Sequence, residues 1–317
     1  MKSLRIIYFG TPAFAISPLE EILESEHKVV AVITAPDRKS GRGKKLSSSP
    51  IKIFSEEHDM TVLQPLNLKD PDLISQLRDL APDVMVVVAF RMLPKEVWSI
   101  PTNGTFNLHA SLLPKYRGAA PIHWAIINGE QQTGVTTFFI NDQIDTGDII
   151  AQKSLPIESD ENTGQLSNRL EKLGATLTLE TLDLIATNRV KSIPQSNKSQ
   201  MSLAPKLTRE NTQLRWNQDG YYIERQVRGL QPFPCAWTML SNNDKLLYCK
   251  IHKVEFIEGK QPLDNGQIFV KNQQIMVAVP NGTIHVKRLQ LPNKKPMNDK
   301  ELLNGYSIDV NASFENP

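Results

Sequence analysis

The 317-residue chain has two cysteines, Cys235 and Cys249, and they form no CxxC pair and no metal-ligand spacing with a nearby histidine. That excludes a disulfide-stapled scaffold and a zinc module; free thiols are expected. No apolar run approaches the ~20 residues of a membrane span. The opening residues MKSLRIIYFG lack the h-region of a signal peptide. We expect a cytoplasmic protein with no membrane partner. Charge of one sign is also missing: 36 basic against 34 acidic residues leave a net charge of +2. A nucleic-acid role would therefore have to rest on a local cluster, not on the total. No GxGxxG follows the first strand-like run, so no NAD is expected, and no metal-ligand cluster is seen.

What is present is ordinary globular composition, 40% apolar and 22% charged, enough for one large or two ordinary domains. Residues 4–9, 29–33, 83–89, 104–109 and 134–140 read as strands. Ser49-Pro50 and Asp70-Pro71 each place a capping residue before a proline at the first helical position. Residues 165–185 carry a helical period. Strands alternating with helices predict an α/β fold, a mostly parallel sheet covered on both faces. Its ligands would bind beyond the carboxyl ends of the strands.

Residues 190–206 are polar, hold two prolines and show no apolar period, so they read as a linker. We expect a first domain over residues 1–189 and a second over 207–317. In the second, residues 245–251, 266–270, 274–279 and 283–289 form short β-like runs. Asn265-Gly266 and Asn281-Gly282 are expected hairpin turns. A smaller all-β domain, an OB-like barrel, fits this pattern.

The chemistry concentrates in FNLHASLLPKYRGAAPI, residues 106–122. In an extended chain Asn107 and His109 share one side and Leu108 faces the other. An amide and an imidazole at a strand end can polarise a carbonyl whose oxygen gains charge. Equally, a strand-end histidine can do no more than cap a loop. The DTGD sequence at residues 145–148 is on its own a good turn, with Asp145 as a turn former.

The segment NLHASLLPKYRGAAPI closely resembles the signature of the folate-dependent formyltransferases. FGTPAF (residues 9–14), PDRKSGRGKKL (36–46), DTGDI (145–149) and RGLQPFP (228–234) resemble further motifs of that family, so the similarity spans most of the chain. It implies a Rossmann-like catalytic sheet and direct formyl transfer from 10-formyltetrahydrofolate to an amine. By resemblance, Asn107, His109 and Asp145 are the catalytic set. Asn107 and a charged His109 would donate hydrogen bonds to the oxyanion. Asp145 would orient His109 and help move protons from the amine to the leaving nitrogen. Ser111, Leu112, Leu113 and Pro114 would line the folate site, as would Phe90, Arg91, Met92 and Leu93. At Phe90-Arg91 the chain departs from the family, which commonly has an aromatic residue followed by glycine.

The resemblance also implies that Arg38, Lys39, Arg42, Lys44 and Lys45 form a basic loop that meets the end of a tRNA. On composition alone that loop could be ordinary solvated surface. Lys206, Arg209, Arg215, Arg225 and Arg228, with Lys287, Arg288, Lys294 and Lys295, would extend a weak cationic track over the second domain. The acceptor expected is the α-amino group of methionine on initiator methionyl-tRNA, and a monomer is expected. Two alternatives stay open: an amino-sugar nucleotide as acceptor, or a non-enzymatic RNA-binding protein on the same scaffold.

Overall fold

The computed structural model describes residues 2–40, 45–195, 201–259 and 262–316. Its helices are α1 (Ile16–Leu23), α2 (Pro50–Glu57), α3 (Pro71–Asp79), α4 (Lys95–Trp98), α5 (Pro121–Ile127), α6 (Thr163–Ala186), α7 (Gly220–Gly229) and α8 (Asp299–Leu303). Two compact units form: residues 1–121, 132–156 and 167–204 in one, and residues 122–131, 157–166 and 205–317 in the other. None of the helices among the described residues is long and apolar enough to cross a membrane.

The first unit contains β1 (Arg5–Gly10), β2 (Lys28–Ile33), β3 (Arg38–Ser40), β4 (Lys45–Ser47), β5 (Val62–Leu63), β6 (Val84–Val88), β7 (Thr105–His109), β8 (Arg117–Gly118), β9 (Gln132–Phe139), β10 (Ile149–Pro156) and β11 (Leu203–Ala204). Seven of these make one sheet in the order β10-β9-β7-β6-β1-β2-β5. The pairs from β7 through β6, β1 and β2 to β5 are parallel, while β9 and β10 run antiparallel. Sequence explains the split. β6 is VMVVV, buried along its whole length, as a central parallel strand covered on both faces must be. β10 alternates between half-buried and exposed residues over its second half, as an edge strand with one wet face does.

The caps at α2 and α3 form as expected: Ser49 accepts from the Lys52 N–H and Asp70 from the Asp72 N–H. Leu73, Ile74 and Leu77 of α3 then pack with Ile7, Phe9, Ile33, Met85 and Val87 on one face of the sheet. On the other face, Gly174 of α6 approaches so closely that a Cβ there would lie 2.8 Å from the Leu108 side chain. Leu108 thus points into the α6 face, which leaves Asn107 and His109 to the opposite face.

The second unit contains β12 (Ala236–Asn242), β13 (Lys245–Glu258), β14 (Ile268–Lys271), β15 (Gln274–Val279), β16 (Gly282–Gln290), β17 (Met297–Asn298) and β18 (Ser313–Glu315). They pair antiparallel in the order β14-β15-β16-β13-β12-β18, with β17 beside β16. The outer strands meet: the Ile268 N–H donates to the Ala312 carbonyl at 2.9 Å, and the Phe314 N–H to Gly266 at 2.8 Å. The sheet therefore curls into the barrel-like form expected, around Trp216, Ile251, Val277, Val286 and Phe314.

Its turns differ from expectation. Asn265-Gly266 makes no hairpin; Gly266, at φ 92°, carries the chain past Phe314, where a Cβ would strike the Phe314 carbonyl. Between β15 and β16 the corner falls on Pro280 and Asn281, because Gly282 already pairs with Val279. The tight two-residue turns with both φ positive are Asn243-Asp244 and Asn272-Gln273. Their left-handed geometry is carried by asparagine and its neighbour rather than by glycine. β12 and α7 were also not anticipated. The α7 stretch, capped by Asp219, mixes Ile223 and Val227 with charged residues too sparsely for its period to stand out.

Two outcomes follow from these interiors. Trp216 is fully buried, stacked on Phe314 at 4.8 Å and donating Nε1–H to Thr238 at 3.0 Å. Trp216→Ala should cost about 3–5 kcal/mol of stability in urea unfolding of the second unit; an unchanged midpoint would count against this packing. Both cysteines are free and buried. Burial pushes the Cys249 thiol up to about 12 and the Cys235 thiol up as well. Since the thiolate is the reactive form, dithiobis(nitrobenzoate) should label both thiols promptly only after denaturation.

Candidate active site

β7 ends at His109, one strand along from the β1/β6 switch in the strand order. Beyond the carboxyl ends of β6 and β7 lies a cavity of about 340 Å³, within the range of small-molecule sites. Its lining includes Val87, Asn107, Gly118, Phe138, Ile140 and Asp145. Asn107 is held in register by pairing with Val87 on one side and Phe138 on the other. Among the described residues, nothing hydrogen-bonds to its side-chain amide, so its donors remain available to a ligand.

His109 is buried, and both ring nitrogens are accounted for. Nε2 lies 2.8 Å from the Tyr116 carbonyl, and Nδ1 lies 3.9 Å from Asp145 Oδ2. A carbonyl only accepts, so Nε2 must carry a hydrogen. Any exchangeable proton is then confined to Nδ1, on the side of Asp145. Tyr116 reaches this position because its backbone takes φ 61°, a left-handed conformation that turns its carbonyl toward the ring.

The loop between His109 and Tyr116 is braced from two strands. Thr136 of β9 donates its hydroxyl to the Ser111 carbonyl at 2.6 Å and accepts from the Leu113 N–H at 3.2 Å. Gln152 of β10 donates to the Leu113 carbonyl at 2.9 Å and to Thr136 at 2.8 Å. Ser111 donates to the Lys115 carbonyl at 2.6 Å.

Asp145 sits in a turn with φ 53°. Asn141 holds the start of that turn, accepting from the Gln143 N–H and the Thr146 hydroxyl, each at 2.9 Å. Gly147 is required there, since a Cβ would run into the Phe139 carbonyl. The Asp145 carboxylate accepts from the Gly118 N–H at 2.8 Å. Gly118, at φ 123°, is itself wedged against the Ala204 carbonyl, 2.6 Å from where a Cβ would be.

The structure thus places Asn107 and Asp145 on the cavity lining, with His109 buried behind them and reaching Asp145 at 3.9 Å. Phe90, Arg91, Met92 and Leu93 line the cavity too. Phe90 packs edge-on to Phe9, and Arg91 reaches across its own neighbour's ring to donate to the Leu66 carbonyl at 3.0 Å. Partial burial, and after it the positive charge of Arg38, lower the Arg91 pKa, which marks Arg38 as a neighbour of the cavity rim. Ser111, Leu112, Leu113 and Pro114 are placed elsewhere: they form the braced loop behind His109 and do not contribute to the cavity lining.

Of the basic segment, Arg38 and Lys39 lie in β3 and Lys45 in β4, which pair as an antiparallel ribbon. Asp37 roots the ribbon, accepting from Lys52 at 2.6 Å and Gln64 at 2.8 Å; these bonds, led by Lys52, hold its carboxyl below the usual range. Arg42 and Lys44 lie outside the described residues. Sequence reasoning missed Tyr116, Arg117, Thr136, Gln152 and Gln195 as parts of the site; none carries a local signal, because their partners are set by tertiary placement. No group of three metal-ligating side chains occurs among the described residues.

Comparison with known proteins agrees with this architecture. Residues 3–182 match the family model "Formyl transferase", and residues 206–307 match "Formyl transferase, C-terminal domain". A methionyl-tRNA formyltransferase of Flavobacterium johnsoniae is 46% identical over 312 residues, covering 98% of this chain and 99% of that protein. Among solved structures, an N-formyltransferase from Helicobacter canadensis, in complex with folinic acid and dTDP-3-aminofucose, has the same fold. Its TM-score is 0.65 at 22% identity, over 90% of this chain and 99% of that one. HypX from Aquifex aeolicus, in complex with tetrahydrofolic acid, aligns with a TM-score of 0.64 at 18% identity. That alignment covers 97% of this chain, which spans about half the length of HypX (49%). By both family models and by 46% identity over nearly its full length, the chain belongs to the formyl transferase family.

Proposed function

We propose that the protein transfers the formyl group of 10-formyltetrahydrofolate to the α-amino group of methionine on initiator tRNA, acting as a monomer in the cytoplasm. The arrangement of His109 carries the chemical part of this reading. One ring nitrogen is tied to a backbone carbonyl, the other faces Asp145, and the free amide of Asn107 lines the same cavity as Asp145. The acceptor is supported by relatives named methionyl-tRNA formyltransferase that match at 39–46% identity over nearly the whole chain.

The neutral amine attacks the formyl carbon, forming a C–N bond and a tetrahedral oxyanion. Asn107 donates to that oxygen. His109 does so through Nδ1–H, since Nε2–H is already committed to Tyr116. The amine must then lose a proton and N10 of the carrier must gain one before the C–N10 bond breaks. Asp145, close to Nδ1 and on the cavity, moves that proton directly or through a water. The products are the N-formyl amine and tetrahydrofolate, with atoms and charge balanced and no metal or redox step. Phe90, Arg91, Met92 and Leu93 would hold the donor at the cavity mouth. The β3–β4 ribbon, with Arg38, Lys39 and Lys45, would meet tRNA phosphates, as would Arg42 and Lys44.

Asp145→Asn should keep the unfolding midpoint and lose most of the turnover. Asn107→Ala should lose about a hundred- to thousandfold in rate, or ~2.7–4 kcal/mol of barrier, the typical cost of one oxyanion donor. Offering 10-formyltetrahydrofolate with charged initiator tRNA, then with amino-sugar nucleotides, separates the acceptors. Transfer to no amine would reject the enzymatic reading in favour of RNA binding alone. Affinity for tRNA should fall with salt, and Arg38→Ala should reduce the slope of log K against log[salt] by about one. An unchanged slope would remove Arg38 from the RNA contact.

A further inference from the structure

We infer that Gln195 is a positioning residue for formyl transfer, setting the Asp145 carboxylate against His109 by clamping the Asp145 turn to the Arg117-Gly118 strand; this rests on the role proposed above for Asp145. The residue lies in the polar stretch that leads out of the first unit, where nothing in the sequence marks it.

Its carboxamide uses every hydrogen-bonding position it has. Nε2 donates to the Asp145 carbonyl at 3.1 Å and to the Gly147 carbonyl at 2.7 Å. Oε1 accepts from Arg117 Nε at 3.1 Å and Nη2 at 2.7 Å. A primary amide has two donors and two acceptor lone pairs, and all four are filled here. No other side chain reproduces the set. Glutamate cannot donate to the two carbonyls, asparagine is one methylene too short, and methionine matches the length without the bonds.

The two groups it joins are the two that fix the carboxylate. Asp145 presents its side chain from a left-handed backbone, φ 53°, which is sparsely populated for a residue with a Cβ and needs outside support. Arg117 immediately precedes Gly118, whose N–H holds Asp145 Oδ2 at 2.8 Å. Gln195 therefore grips the carboxylate's own backbone and the neighbour of its hydrogen-bond donor at once. The 3.9 Å separation of Asp145 from His109 Nδ1 is set by these two elements.

The stretch bearing Gln195 is itself anchored. Ile193 exchanges both backbone hydrogen bonds with Ile149 at the start of β10, each at 2.8 Å. Farther along, Ser202 accepts from the Tyr116 N–H through its hydroxyl, and from the Arg117 N–H through its carbonyl, both at 3.0 Å. The latter bonds steady the residue whose carbonyl fixes the His109 ring. The same stretch thus touches both halves of the His109–Asp145 pair, with Gln195 serving the carboxylate.

The test is a mutant cycle on the full chain with 10-formyltetrahydrofolate and charged initiator tRNA. Gln195→Met should lower kcat about 10- to 100-fold, the cost of a misplacement near 1 Å. Both KM values and the unfolding midpoint should hold steady. In an Asp145→Asn background the same change should alter the residual single-turnover rate by less than about twofold, because coupled residues are not additive. If that residual rate is too low to measure, Arg117→Met replaces Asp145→Asn as the background, where the loss from Gln195→Met should be smaller than in the native chain, since only the two donations to the Asp145 turn remain to be lost. Gln195→Glu, which keeps the arginine contact and loses both donations, should also lower kcat and serves if Gln195→Met does not fold. Equal losses in both backgrounds, a rate loss that tracks lost stability, or no loss would overturn the inference. If Asp145→Asn by itself left turnover normal, the role of Asp145 would fail first. If it abolished turnover while Gln195→Met did nothing, only the inference about Gln195 would fall.

Discussion

The hydrogen bond between His109 Nε2 and the Tyr116 carbonyl orders the whole site. It spends one ring nitrogen on the protein and leaves the other facing Asp145. A carbonyl cannot donate, so the ring has no freedom to exchange the roles of its nitrogens while that bond holds. Everything around Tyr116 serves to keep its carbonyl aimed at the ring. Its backbone is left-handed, its N–H is bound by Ser202, and the chain leading to it is braced by Thr136 and Gln152 from neighbouring strands. A loop supported from one side only would let the ring rotate. Here the support comes from β9, β10 and the stretch after α6.

The sheet supplies the remaining alignment. Asn107 and His109 share a face because strand side chains alternate, and Leu108 between them is pinned against Gly174 on the other face. A one-residue slip of β7 would turn the amide and the imidazole onto the α6 face and the leucine onto theirs. The placement of these two side chains is therefore protected by core packing that touches neither of them. Preorganisation of this kind is what makes electrostatic stabilisation effective, since the donors need not reorganise when charge develops.

Legibility in the sequence followed the range of the interactions. The buried strand at β6, the proline-led starts of α2 and α3, and the shared face of Asn107 and His109 are encoded within a few residues. They could be read directly. Asp145 could not be separated from an ordinary turn former by its own neighbourhood; only its likeness to a family motif raised the catalytic role. The braces were invisible. Gln152, Gln195 and Thr136 act on residues 16 to 78 positions away, and a polar side chain carries no mark of its distant partner. Of the two expected hairpin turns, the one at Asn281-Gly282 forms one residue earlier, on Pro280 and Asn281, and Asn265-Gly266 forms none. Asparagine and the residue after it can adopt the left-handed backbone without glycine, so Asn243-Asp244 and Asn272-Gln273 turn the chain where an Asn-Gly rule looks elsewhere.

Nitrogen NMR of 15N-histidine-labelled protein reads the orientation of the His109 ring most directly, with His109→Gln assigning its signals. In the neutral ring the hydrogen should reside on Nε2, with Nδ1 giving the signal of an unprotonated ring nitrogen. A neutral His109 protonated on Nδ1 would contradict the bond to Tyr116 and the assignment of the reacting nitrogen that depends on it.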